Sequence, residues 1–226
     1  LRRLVGSEMC IRDRYTSLLI GLLIILIISV STSINIFILV AACCFLGYLY
    51  QGPPFRFGYQ GLGEPLCWLA FGPFAYSAVL IALNPSNIYF EDIPWKVSLL
   101  LGSGPSLATT LVLFCSHFHQ ISEDKKHGKN SPLVRLGAKK GSQFVPWIIF
   151  TIYIFQLFTI VYGFIPVFCI LYLLSLPQAI RLINLLKSSY AKPSAIKNCK
   201  FVAIKFQTLN GIGLITGLIF NYLLNK

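Results

Sequence analysis

An all-helical integral membrane bundle is the fold class this sequence predicts, and three observations predict it. Hydrophobic residues make up 56% of the 226, and the mean hydropathy is +0.73. Only 12% of residues are charged, against roughly 25% in soluble domains. The bases fall in the gaps between long apolar runs, the distribution that orients a chain in a bilayer. The net charge of +12 would suit nucleic acid, but that placement argues against nucleic acid as a partner. It points to a lipid bilayer and to anionic headgroups or diphosphates. Seven cysteines are scattered along the chain with no CxxC pair, so neither a disulfide framework nor a zinc site is predicted.

The elements follow in order. Residues 1–14, LRRLVGSEMCIRDR, are charged and aperiodic, and they run abruptly into an apolar span. They lack the apolar core and cleavage site of a signal peptide. The string VGSEMCIRDR resembles translated sequencing-adapter sequence. Residues 1–14 are therefore expected to be a non-native leader with the true start upstream; a basic cytoplasmic leader is the other reading. Residues 15–226 read as one transmembrane domain. From Tyr15 to Tyr50 the chain is nearly all apolar, too long for one crossing of a hydrocarbon core about 30 Å thick. The polar knot Ser29, Ser31, Thr32, Ser33, Asn35 predicts a hairpin of two short spans. A Gly/Pro-rich loop follows, and such backbone is tolerated at membrane depth only where it lines a cavity. The third span covers about 64–83, an acidic loop carries Glu91 and Asp92, and the fourth covers about 95–115. Residues 144–186 are again too long for one span; Gly163 and Pro166 divide them, and Pro177 is expected to kink the second half. Five lysines fall between 187 and 205. A last span covers about 206–224, with Gly211, Gly213 and Gly217 suited to close helix contact. That makes seven spans. The gaps at 51–63, 117–142 and 187–205 share one face and hold nearly all the Lys and Arg, so that face is predicted to be cytoplasmic or stromal.

Two polar stretches on that face carry the chemistry. His117–Gly137, HFHQISEDKKHGKNSPLVRLG, sets Glu123 and Asp124 among Lys125, Lys126, His127, Lys129 and Arg135. Carboxylates there can hold a divalent cation, and bases can hold the phosphates of an anionic substrate. The alternative is a loop carrying ordinary orientation charges. The other stretch, Tyr50–Glu64, reads YQGPPFRFGYQGLGE.

Here a resemblance becomes specific. YQGPPFRFGYQGLGE, continuing through Gly72-Pro73, resembles the signature loop of the MenA-type branch of UbiA-superfamily prenyltransferases, in its cyanobacterial and plastid form. DKKHGKNSPLVRLG is similar to the superfamily's second aspartate-rich motif and its tail. The likeness covers about Tyr15 to the C-terminus. It implies a bundle of about nine helices, of which this chain would hold seven, the first two and the first aspartate motif lying upstream of Tyr15. It further implies Mg²⁺-dependent transfer of a prenyl chain, phytyl in this branch, from its diphosphate to a carboxylated 1,4-naphthoquinone or naphthoate on the route to phylloquinone or menaquinone. The second motif usually reads D-x-x-x-D. Aligned on Gly128-Lys129, its second position is Asp124 and its first is Gln120.

Asp124 is then the expected metal ligand. Glu123 is a second candidate in place of the missing aspartate, and Gln120 could coordinate through its carbonyl or orient a water. On a continued helix, His117, Gln120 and Asp124 would share a face, with Glu123 beside Gln120. His117 and His119 read equally as caps of the helix end. Lys129, Arg135, Lys139 and Lys140 are candidates for the leaving diphosphate, Arg135 foremost, with Lys139 and Lys140 also readable as orientation charges. Arg56 and Tyr59 could meet the acceptor carboxylate or the diphosphate. Tyr50, Phe55 and Phe57 could face the allylic cation or form an interfacial belt. Glu64, opening a span, is read as favouring the helix N-terminus.

Competing readings stay within reach. A superfamily member acting on 4-hydroxybenzoate, homogentisate or a chlorophyll precursor is disfavoured by GYQGLGE. A small-solute transporter or a structural multi-span protein is the rival from another class; a transporter predicts polar or charged groups at mid-membrane or interrupted helices in paired halves, and the span interiors hold little beyond Gln156 and Asn210.

Overall fold

The computed structural model describes residues 2–84 and 89–226, so residues 85–88 of the acidic loop lie outside the described residues. Among the described residues the regular structure is helical. Helix α1 (Arg2–Ser31) and α2 (Ile34–Gln51) form the predicted hairpin. The break falls in the polar knot because its hydroxyls compete for backbone partners. Ser29, Ser31 and Thr32 each bond carbonyls three or four residues back, and Ser33 caps α2 through the Asn35 amide.

After a loop, α3 (Gly63–Leu69), a π-helical turn (Ala70–Phe74) and α4 (Ala75–Leu83) make one span, bent at Gly72-Pro73. Gly72 and Gly102 let that bend press directly on α5 (Trp95–Ser116), where a Cβ on Gly102 would stand 2.9 Å from the Gly72 carbonyl carbon. A 3₁₀ turn (His117–His119) and the short α6 (Ile121–Lys126) carry the polar centre. Helix α7 (Pro132–Val161) breaks once, at Gly137, whose φ of 77° suits glycine. A 3₁₀ segment (Val167–Ser175) continues into α8 (Leu176–Ser189), and α9 (Pro193–Ile196) leads to α10 (Cys199–Leu224).

Six of these helical stretches are long and apolar enough to cross a membrane, and Tyr15–Ser31 is a shorter apolar helix in the place of the first predicted span. Large side chains such as Leu19, Phe45, Phe150, Trp147, Ile215 and Leu218 are exposed along them, which suits a lipid surround and no other solvent. One core joins α5, α7, α8 and α10 through Leu111, Phe114, Val145, Ile152, Leu182 and Phe206. A smaller one joins α2 to α4 and Ile93.

Pro177 departs from expectation. It does not kink a continuous α-helix: it lies in the first turn of α8, at the end of the 3₁₀ segment, where a missing N–H leaves no bond unmade. Gln156 and Asn210 meet in the interior and satisfy each other, with Gln156 Nε2 donating to Asn210 Oδ1 at 2.5 Å and Asn210 Nδ2 to Gln156 Oε1 at 3.0 Å. Ser175 and Tyr153 extend the network. The cysteines described, Cys43, Cys44, Cys67, Cys115, Cys169 and Cys199, are all free thiols. The three basic gaps gather at one end of the bundle. α9 packs against the His117–His119 turn, and the Cys199 thiol donates to the Cys115 carbonyl.

Candidate active site

The Tyr50–Glu64 loop is built by its glycines. Arg56 and Gly61 both take left-handed backbone, at φ 44° and 76°. At Gly61 a side chain is excluded twice over, because a Cβ there would stand 2.7 Å from the Asn130 carbonyl oxygen. The ring of Tyr50 fills the room that Gly58 and Gly63 leave. A Cβ on Gly63 would come 2.5 Å from Tyr50 Cε2.

This loop docks onto the second motif, as the Tyr59 carbonyl accepts the Asn130 amide at 2.7 Å and the Gln60 carbonyl accepts Arg135 Nη2 at 2.5 Å. Two stretches far apart in the chain, with Gln60 and Arg135 separated by 75 residues, thus form one surface. Arg135 is exposed and serves as the latch between them. Arg56 is exposed, with its guanidinium carbon 5.8 Å from the centre of the half-buried Tyr59 ring. Phe55 and Phe57 stack tilted at 5.7 Å.

In the second motif α5 does not continue past Ser116. The chain tightens into the 3₁₀ turn and re-enters an α-helix at Ile121, with Gln120 at the joint, half-buried. Even so, His117 and Asp124 meet, at 3.4 Å between Nδ1 and Oδ2. Lys129 Nζ lies 3.4 Å from Asp124 Oδ1. On the other side of the imidazole, His117 Nε2 lies 3.7 Å from Glu64 Oε1. The result is a row, Glu64, His117, Asp124, Lys129, of alternating acidic and basic groups shielded from solvent.

Sequence reasoning found Asp124 and Lys129 and missed Glu64, although an acidic residue opening an apolar span on the same face as the polar centre was the available signal. Glu123 is exposed and joins none of these contacts; Lys139 and Lys140 are exposed on α7 beyond the Gly137 break.

The row is incompletely satisfied. Both Glu64 oxygens, Asp124 Oδ2 and His117 Nδ1 are buried without a hydrogen-bond partner. Among the described residues no three of His, Cys, Asp or Glu come together as a metal-ligand set. Mg²⁺ does not require one, since it binds through one or two carboxylates and completes its shell with water and substrate phosphates. Asp124, with a buried oxygen lacking a donor, fits that role. The other buried carboxylate, Glu64, is held apart from it by the His117 ring.

Beside the row opens a cavity of about 940 Å³, walled by α1, α2, α3, α4, α5 and Gln207 of α10. Tyr50 and Ser116 line it at the polar end. Along α2 it extends from Tyr50 to Ile36, a run of about 21 Å at the helical rise. Its lining is almost wholly apolar, the exceptions including Thr109 and Gln207, which bond each other at 2.7 Å.

Comparison with known proteins gives the arrangement its family. The chain is 37% identical over 179 residues to a 2-carboxy-1,4-naphthoquinone phytyltransferase of Synechocystis sp., covering 79% of this chain and 56% of that protein. It is 37% identical over 220 residues to the chloroplastic 2-carboxy-1,4-naphthoquinone phytyltransferase of Arabidopsis thaliana, covering 96% of this chain and 57% of that protein. The chain thus spans little more than half the length of these curated relatives. No solved structure matches it. The family model described as "UbiA prenyltransferase family" matches residues 5–204, most of the chain, and the chain belongs to that family.

Proposed function

We propose that this chain carries out Mg²⁺-dependent transfer of a prenyl group, phytyl in the first instance, from its diphosphate to a carboxylated naphthoquinone-type acceptor, at the cytoplasmic or stromal face of its membrane. The observation that carries the reading is the polar row of Glu64, His117, Asp124 and Lys129 beside a long apolar cavity, which is lined by Ser116 next to His117 and by Leu66 and Cys67 just beyond Glu64. A molecule that is all hydrocarbon at one end and all charge at the other suits such a site. Its tail lies along α2, and its head lies among Asp124 and the bases. The names of the two relatives supply the donor and acceptor class. A transporter gains no support from Gln156 and Asn210, which bond each other rather than line a path.

In this mechanism the allylic C–O bond breaks with its electron pair leaving on the diphosphate. The allylic cation is attacked by an electron-rich ring carbon, so the acceptor that reacts is the dihydroxynaphthoate; a carboxylated naphthoquinone would first have to take two electrons and two protons from a separate reductant. The carboxyl group on that carbon departs as carbon dioxide, and its bonding pair returns to the ring. Bound Mg²⁺ supplies neutralisation of the leaving group's charge, and Asp124 is the residue that would hold it. Lys129, whose ammonium already lies beside Asp124, donates to the phosphate oxygens. The Tyr50 ring, which lines the cavity, excludes water and offers a π face to the cation.

The test is direct. The purified chain, reconstituted in lipid with Mg²⁺, phytyl diphosphate and a 1,4-dihydroxynaphthoate, is expected to yield the decarboxylated phytyl adduct by mass spectrometry. Product from 4-hydroxybenzoate or homogentisate alone would replace the acceptor assignment.

Arg135 separates two roles. If its main work is to latch the loops, Arg135→Ala is expected to lower turnover by about ten- to a hundredfold and to expose the 52–62 loop to protease. Arg135→Lys should rescue little of this, because an ammonium lacks the guanidinium's planar reach. A rise in the Michaelis constant for the diphosphate with the loop still protected would assign Arg135 to the substrate instead.

A further inference from the structure

Glu64 is the buried group that the mechanism above leaves without work. Its side chain is 13% exposed, and neither carboxylate oxygen has a donor. The imidazole of His117 comes closest, with Nε2 at 3.7 Å, beyond hydrogen-bonding distance. Lys129 is already engaged by Asp124. A carboxylate buried without donors is costly to keep, and a group in that state calls for a reason.

Its position suggests the reason. Leu66 and Cys67, two and three residues further along α3, line the apolar cavity, as does Ser116 next to His117. The Tyr50 ring packs on Gly63, the residue before Glu64, and lines the same cavity. Glu64 therefore sits at the polar end of the cavity. The imidazole of His117 separates it from the Asp124–Lys129 side, where phosphates belong.

We propose that Glu64 is a binding residue for the aromatic acceptor, taking a hydrogen bond from a ring hydroxyl. The assignment rests on the prenyl-transfer reading for the identity of the ring. Glu64 offers two buried oxygens with no donor, so what it takes is a hydrogen-bond donor and not a diphosphate or a second carboxylate. The hydroxyl turns toward Glu64 and the acceptor carboxylate turns away from it, toward the basic side of the row. That fixes which ring carbon faces the prenyl chain. A hydroxyl held by a carboxylate also releases more electron density into the ring, which favours attack on a cation. The Tyr50 ring has to swing from Gly63 to admit the acceptor.

The test is equilibrium binding, followed by kinetics. The purified chain is titrated with a 1,4-dihydroxynaphthoate and with each of its mono-methyl ethers, and in parallel with phytyl diphosphate. Wild type is expected to bind the dihydroxy compound at least tenfold more tightly than the ether masking the recognised hydroxyl, about 1.4 kcal/mol. Glu64→Ala is expected to bind both alike, and Glu64→Gln, which keeps the side-chain volume, to lose most of the preference. Affinity for phytyl diphosphate should stay within twofold in both. In turnover, the Michaelis constant for the acceptor rises and that for the donor does not.

Equal affinity of wild type for the hydroxyl and both ethers overturns the assignment whatever the variants do. So does an unchanged preference in Glu64→Gln, or a loss of diphosphate affinity in its place. A chain that shows the Glu64-dependent preference yet transfers no prenyl group overturns the proposed reaction and leaves this binding role standing. A chain that transfers normally with the preference intact in Glu64→Gln does the reverse.

Discussion

Asp124→Ala is expected to abolish prenyl transfer, by a factor on the order of a thousand or more, while the chain still inserts and folds. Asp124 is the buried carboxylate in contact with both His117 and Lys129. Losing one preorganised charged group at a transition state costs about a hundred- to a thousandfold in rate. Here the loss also takes the holder of the cation. The structural cost is the unpaired ammonium of Lys129, whose side chain is 15% exposed, and it leaves the helix-packing core of α5, α7, α8 and α10 untouched. Asp124→Asn refines the experiment. It keeps the volume and a hydrogen-bond acceptor for Lys129 but removes the charge, so it should fold better than the alanine variant and turn over no faster at ordinary Mg²⁺. The checks are membrane partition and monodispersity in detergent, set beside turnover across an Mg²⁺ titration. Near-normal turnover in either variant would sink the metal assignment. Glu123→Ala should cost far less, since its exposed carboxylate lies outside the row.

The contrast between Asp124 and Glu123 marks how far the sequence could be read. Spans were legible, because apolar length is a property of local composition. The hairpin break was too, because the hydroxyls that cause it are neighbours in the chain. Which carboxylate turns inward was not. It depends on α5 giving way to a 3₁₀ turn at His117, and no residue type there forces the change. The pairing of Glu64 with His117 spans two elements brought together only by packing. The docking of the Tyr50–Glu64 loop on Asn130 and Arg135 is long-range in the same sense. Local pattern gave both stretches and their shared face but not the contacts between them. Pro177 failed for a related reason: its effect depends on whether the preceding residues are α or 3₁₀, and composition does not distinguish the two.

The glycines of α10 allow a sharp test of the packing itself. Gly213→Val is expected to cost about 3 kcal/mol or more, while Gly211→Ala, two residues earlier, should be neutral or slightly stabilising. All three glycines lie in one helix, so propensity alone treats them alike and favours alanine at each by about 1 kcal/mol. Their surroundings differ. A Cβ at Gly211 meets nothing within 4 Å. At Gly213 it would run into the backbone of Leu171 and Tyr172, and at Gly217 it would stand 2.5 Å from the Cys169 nitrogen and the Phe168 carbonyl oxygen. Backbone cannot turn aside as a flexible side chain can, so α10 must move away from the 167–175 segment. Between lipid-facing helices such close contact is a main source of attraction. The shift also reaches the interior polar network, because Ser175, at the end of that segment, bonds Tyr153 at 2.8 Å and accepts from Asn210 at 3.4 Å. Opening it would leave buried hydroxyl and amide groups partly unpaired, and that loss adds to the overpacking. Thermal melting of the detergent-solubilised variants reads the difference. A drop for Gly213→Val and Gly217→Val with none for Gly211→Ala follows from backbone contact, whereas equal drops at all three would mean that helix flexibility, not close approach, is what these glycines provide.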